Sequence, residues 1–202
     1  MRLLSIIAKL LSGLLLAFSM LMLASCSRMP IEQIDTTNTA LDLEEFFLGE
    51  TYAYGIFEDR NGSLRRQFRV LIDGRMEDGK LVLDERFLYA DGETARRIWT
   101  IENLGNDGAG KRLYSGSAAD IEGEATGAII GNTLNWQYDI TLDIGSTALK
   151  VHFDDWIFRQ HEDLAINRAY VTKFGVLIGS VTLVFLRGRT AEAMGPPDLK
   201  NW

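Results

Sequence analysis

The residues most able to do chemistry in this chain are polar side chains set inside an otherwise apolar wall. Residues 147–158 and 164–174 read as two strands of a hairpin turning at 159–163, and side chains alternate between the two faces of such a pair. With Phe158 set opposite Leu164, Asp155 faces Asn167 and Asp154 faces Arg168. One face then carries Val151, Phe153, Ile157, Ala165, Ala169 and Val171, with Asp155, Asn167 and Lys173 embedded among them. The other carries His152, Asp154, Trp156, Ile166, Arg168 and Tyr170. Burying an amide, a carboxyl and an amine without partners is costly, so the trio must bond to one another or to something brought in. The first case is an internal clamp that fixes strand register. The second is a polar anchor for the head of an apolar ligand. Arg168 reads as the ion-pair partner of Asp154, or as a guanidinium open to a carboxylate or phosphate. Trp99, Trp136 and Trp156 are candidates for the wall of such a site or for ordinary core.

Other chemistries fare worse. No serine sits in Gly-x-Ser-x-Gly, and His161-Glu162 lacks a second histidine four residues on. Neither His152 nor His161 has the spacing of a tetrahedral metal site, so no metal or cofactor is expected. Asp84, Glu85 and Asp155 could serve as acid–base groups, but no activated nucleophile accompanies them, so an enzymatic role is the weakest of the readings and stays open. With 21 Lys+Arg against 28 Asp+Glu, the net charge of −7 disfavours contact with a phosphate backbone, and no nucleic-acid partner is expected.

The single cysteine, Cys26, excludes a disulfide framework and points to targeting instead. Arg2 and Lys9 precede an apolar run from Leu10 to Ala24, the two parts of a secretory signal. That run ends Leu23-Ala24-Ser25-Cys26, which resembles the lipobox of bacterial lipoproteins, where the cysteine is lipidated after cleavage. Residues 1–25 are therefore expected to be a signal peptide and 26–38 a tether from lipidated Cys26. Removal of the signal leaves 177 residues and, without Arg2 and Lys9, a net charge of −9. Acyl chains rather than charge would then hold the chain to a membrane. Ser27, in place of an aspartate, favours sorting to the outer membrane, with the domain on its periplasmic face.

The elements that would position the polar trio are short strands. Residues 40–47 have helical spacing, with Thr39 as a candidate N-cap and Gly49 as a stop. Beyond them, turn signals recur at Asn61-Gly62, Asp73-Gly74, Asp78-Gly79, Asp91-Gly92, Asp107-Gly108 and Gly131-Asn132. They separate strands expected near 50–58, 64–73, 80–89, 94–103, 111–116, 122–130, 133–143, 147–158, 164–174 and 176–187. No proline occurs between Pro30 and Pro196 to interrupt them. Hairpin-linked strands without helical crossovers make an antiparallel meander, and closure into a barrel of eight to ten strands hides its edges. The fold class is thus all-β, over 39–188, with a short N-terminal helix and a tail at 189–202. Residues 176–186 are apolar on both faces, as in a strand covered on its outer side by the helix or a bilayer. Gly123, Gly127 and Gly131 read as sites of curvature or close approach.

Phe46-Phe47-x-Gly49, Asp59-Arg60-x-Gly62, Leu83-Asp84-Glu85-x-Phe87, Asp91-Gly92-Glu93, Arg97-x-Trp99, Asp155-Trp156, Asn167-Arg168-Ala169 and Lys173-Phe174-Gly175 occur in order. This set resembles the pattern of the bacterial family catalogued as domain of unknown function 3833, from about Leu43 to Arg187. The resemblance implies a proteobacterial lipoprotein of calycin-like architecture without an assigned activity, often encoded beside lipid-modifying enzymes. Together these readings predict an outer-membrane-anchored periplasmic lipoprotein that binds an apolar, acid-headed molecule such as a fatty acid or phospholipid. Asp155, Trp156, Asn167, Arg168, Lys173, Trp99 and Trp136 are its candidate contacts. The alternative is a structural or interaction lipoprotein whose barrel is filled by its own side chains.

Overall fold

The computed structural model describes residues 30–34, 39–144 and 147–202. Cys26 and the expected signal peptide lie outside the described residues. Within the described part of the first of two compact units, Met1–Ile34, a 3-10 turn spans Ile31–Gln33. The second, Asp35–Trp202, is a closed ten-stranded barrel with its own core.

The strands are β1 (Gly49–Asp59), β2 (Leu64–Glu77), β3 (Lys80–Tyr89), β4 (Thr94–Asn106), β5 (Arg112–Ser117), β6 (Ile121–Ile130), β7 (Thr133–Ile144), β8 (Thr147–His161), β9 (Leu164–Lys173) and β10 (Val176–Arg187). Each pairs antiparallel with the next, and β10 returns to pair with β1, so no sheet edge is left open. Helix α1 (Leu43–Phe47) precedes the barrel and α2 (Gly188–Met194) follows it. The N-cap of α1 is Asp42, which accepts from Glu45 N at 2.9 Å, rather than Thr39.

Two expected features take a different form. Asp73-Gly74 lies within β2 and is not a turn. A Cβ on Gly74 would fall 1.7 Å from the Phe47 carbonyl oxygen, so this glycine admits the end of α1. At the β8–β9 hairpin the turn is Glu162-Asp163, with a bulge between Arg159 and His161. The register is therefore displaced by two residues. Asp155 lies opposite Ala169, Asn167 opposite Ile157 and Trp156 opposite Arg168. An even displacement leaves every side chain on its expected face.

The segment leading into β1 closes one end of the barrel. Leu41, Leu43, Phe46 and Phe47 are buried in the core there. The buried Arg159 reaches across to donate to Ala40 O at 2.8 Å and to Glu45 at 3.1 Å, and its guanidinium lies 5.5 Å from the Phe46 ring. Arg112 holds Asp42 at 2.7 Å from the neighbouring wall. Covering of the outer face of β10 falls to the C-terminal segment instead. Helix α2 packs on β10 and β1, and Pro196, Pro197 and Trp202 enclose a cleft of about 610 Å3 with Tyr54, Arg69, Thr182 and Val184.

Candidate functional site

Inward side chains change character along the barrel axis. Toward α1 they are apolar and fully buried: Val70, Ile72, Leu81, Tyr114, Ile129, Leu134 and Ala165 fill the section. Trp136 lies across β5 and β6, where a Cβ on Gly116 or Gly127 would come within 2.7 and 2.3 Å of its ring. Gly127 thus makes room for a side chain, while Gly123, at φ 70°, sits in the β6 bulge. Toward the opposite end Phe57, Phe87, Tyr89, Arg97, Phe153, Leu142 and Leu149 are only half-buried, although they share the inward faces of their strands. That end is a mouth, rimmed by the turns at 60–63, 90–93, 118–120 and 174–175.

Between the two sections lies a belt of polar groups contributed by six elements. Glu85 of β3 pairs across strands with Arg97 of β4. Arg97 in turn uses Nε and Nη2 to grip Asp120, in the β5–β6 turn, at 2.8 to 3.2 Å. From β7, the Tyr138 hydroxyl bears on the Asp155 carboxyl of β8. Asn167 of β9 donates its Nδ2 to Asp155 Oδ1 at 2.6 Å. The wall of β10, β1 and β2 facing this belt is apolar, with Phe57, Phe68, Val181 and Leu183. The interior is therefore amphiphilic across its width as well as graded along its length.

The belt's electrostatics follow from enclosure. Burial pushes the Glu85 carboxyl up to about 7 against the pull of Arg97 and a bond from the Trp99 indole, with Asp120 and Asp155 adding repulsion. Asp155 is raised to about 6, again mainly by burial, with Asn167 and Tyr138 opposing. Burial likewise raises Tyr138, so it stays a neutral phenol. Arg97 remains a fixed cation, raised by Tyr138, Glu85 and Asp120 against the cost of its burial. Glu85 keeps some accessible surface although protein surrounds it. Asp155 and Asn167 are only 7% and 6% exposed, yet Asp155 Oδ2 and Asn167 Oδ1 have no hydrogen-bond partner. Both are acceptors, and native interiors rarely leave such atoms unmet.

Of the residues singled out in the sequence, Asp155, Asn167, Trp99 and Trp136 come together inside the barrel. Trp99 meets Trp136 edge to face at 5.7 Å and Tyr138 at 5.3 Å. Lys173 also faces inward but stands at the mouth, six residues along β9 from Asn167, or roughly 20 Å at strand rise. Trp156 and Arg168 lie on the opposite face. Trp156 stacks on Phe158 at 6.5 Å, while Arg168 bonds to Thr182 and pairs with Glu58 at 3.5 Å rather than with Asp154. Asp154 instead accepts from Asn135 at 2.7 Å. His152 Nδ1 sits 2.8 Å from Asp139 on the outer surface, beside Lys150. Arg97 enters the sequence reading only through the Arg97-x-Trp99 motif, and Asp120 and Tyr138 not at all. Their only signal is local: Glu85 alternates with Leu83 and Phe87, and Arg97 with Trp99 and Ile101, which places charge on two inward faces.

Residues 20–187 match the family described as a protein of unknown function, DUF3833. The chain belongs to this family. No curated protein matches it. Among solved structures it is similar to the S-type phycobiliprotein lyase CPES from Guillardia theta, at a TM-score of 0.53 and 11% identity, covering 74% of this chain and 94% of that one. At that identity the likeness concerns the fold, a lipocalin-like barrel.

Proposed function

We propose that this DUF3833 barrel binds an apolar, acid-headed molecule, of the fatty-acid or phospholipid class, with its tail along the aromatic and aliphatic wall and its head at the Glu85–Arg97–Asp155–Asn167 belt. One observation carries the reading: the belt holds two buried acceptors without donors. An internal clamp made for register alone would satisfy both groups, whereas Asp155 Oδ2 and Asn167 Oδ1 meet no well-placed donor, although the Tyr138 hydroxyl bears on the Asp155 carboxyl and Asn167 holds the Oδ1 of that carboxyl. An acid head that brings its proton supplies a donor to one of those oxygens and an acceptor to the Arg97 guanidinium, whose Nη1 stands outside the clamp on Asp120.

Charge sets a condition on that head. One guanidinium faces three carboxyls, Asp120, Glu85 and Asp155, so an anion enters only when a proton enters with it or already sits on Glu85 or Asp155. Affinity for a fatty acid should therefore decline as pH rises above about 7. Titration of the 35–202 fragment with a fluorescent fatty acid tests this. Saturable binding lost in Asn167→Ala and Arg97→Ala supports it, and the absence of binding between pH 5 and 8 overturns it. The filled section beside α1 favours a second reading, a structural lipoprotein without a ligand, which that negative result would support.

We further propose attachment through lipidated Cys26 at the periplasmic face of the outer membrane, on the strength of the signal and lipobox pattern. Cys26→Ala should accumulate as an unprocessed precursor. Normal maturation and outer-membrane fractionation of that variant would contradict lipidation.

A further inference from the structure

Two hairpins of this barrel make the same tight turn with different residues. At the closed end Asp78-Gly79 joins β2 to β3 with φ of 48° and 78°. At the mouth Phe174-Gly175 joins β9 to β10 with φ of 50° and 77°. Such turns favour Asn or Asp before Gly, because a short polar side chain tolerates the left-handed region, whereas a bulky one is strained there. Phe174 bears that strain while 95% exposed, so no packing within the chain offsets it. Next to it Val176 and Leu177 are 57% and 40% exposed, and together the three make a contiguous apolar tip.

The charge around this tip differs from that of the whole molecule. The chain carries a net −7, yet Lys173 lies 5.5 Å from the Phe174 ring, and the exposed Arg60 is bonded through its backbone to Ile178 of β10. Among the described residues, neither cation is paired with a carboxylate. An exposed aromatic flanked by aliphatic residues and unpaired cations matches the interface of an anionic bilayer, where the ring enters the headgroup boundary and the cations meet phosphates.

We infer that the Phe174–Leu177 tip, with Lys173 and Arg60, is a docking surface for an anionic lipid membrane, and that it brings the barrel mouth against the bilayer. This surface is built from other residues than the lipidation candidate Cys26 and the interior belt. The barrel, its plug and its core all lie within 35–202, so that fragment is the self-contained unit to test.

Flotation of the 35–202 fragment with phosphatidylethanolamine–phosphatidylglycerol vesicles should show salt-sensitive binding, much weaker on phosphatidylcholine alone. Phe174→Asn should lower partitioning about tenfold or more, in line with withdrawal of one large apolar side chain from the interface. It should also leave the thermal midpoint unchanged or higher, because asparagine suits the turn. That pairing separates docking from a folding defect. A fragment that stays off anionic vesicles at low salt, or a Phe174→Asn variant that floats like the parent, overturns the proposal. In the full chain reconstituted in vesicles, Phe174→Trp should add fluorescence quenchable by brominated lipid, and no added quenching would likewise contradict it. Interior ligand binding is unaffected by either result, so the two proposals fail independently.

Discussion

The two ends of this barrel are built by opposite rules. At the end covered by α1, the buried guanidinium of Arg159 is engaged by Ala40 O and Glu45, the Thr51 hydroxyl alone among the buried side chains described there lacks a partner, and glycines admit Trp136 and the Phe47 carbonyl. From the belt to the mouth, three carboxyls surround one guanidinium, two acceptors lack partners, inward side chains become half-buried, and the turn residue at the rim is strained and exposed. The first arrangement maximises stability. The second gives some of it up, and groups that cost stability without return inside the chain mark the places where something from outside is expected.

The largest effects should therefore come from the closed end. Trp136→Ala removes a ring packed over Gly116 and Gly127 and should cost about 3–5 kcal/mol, whereas Phe87→Ala at the mouth should cost clearly less, by chemical denaturation of each. Equal losses would remove the distinction between the ends. Arg159→Ala strips the cation from the plug and should cost about 3 kcal/mol, with the loss of native fluorescence and the release of the 39–48 segment to protease as readouts. A wild-type-like response in both would mean that α1 is not held by this side chain.

Smaller in size but opposite in sign is the effect at the belt. Because the Glu85 carboxyl is raised from 4.5 to about 7, the folded state holds more protons than the unfolded chain between those values, so stability falls as pH rises through that window. Glu85→Gln removes the penalty and should stabilise the barrel at pH 8 by up to about 3 kcal/mol, while changing little at pH 4. A variant less stable than the parent at pH 8 would show that ionised Glu85 is a structural partner of Arg97 and not a strained guest. The carboxyls held low on the outer surface, Asp84 by Arg96 and Asp139 by His152, lose stability only at more acidic pH and leave this window clear.

The fold was legible because its signals are local. Gly-containing turns and alternation of apolar residues locate the strands, and absence of interior proline lets the meander close. Where the turn has no glycine, at Glu162-Asp163, the register was displaced by two residues, and where a glycine serves packing, at Gly74, a turn was expected that does not form. Helix α2 has no start signal in the sequence because its N-cap position falls on Arg187, which makes no side-chain cap bond. The belt was only partly visible. Asp155 and Asn167 share a hairpin, so strand parity finds them. Their meeting with Glu85, Arg97, Asp120 and Tyr138 depends on the curvature that brings β3, β4 and the β5–β6 turn toward β7 through β9, and pairwise register between neighbours does not contain that closure.

The most direct test of the account is the pH dependence of fatty-acid affinity in the 35–202 fragment and in Glu85→Gln, measured by isothermal titration calorimetry in buffers of different ionisation enthalpy. The account predicts saturable one-to-one binding that takes up a proton with the ligand and weakens above about pH 7, and a smaller proton uptake in Glu85→Gln. A barrel that takes up no fatty acid at any pH, or binds it with neither proton uptake nor sensitivity to Glu85, would contradict it.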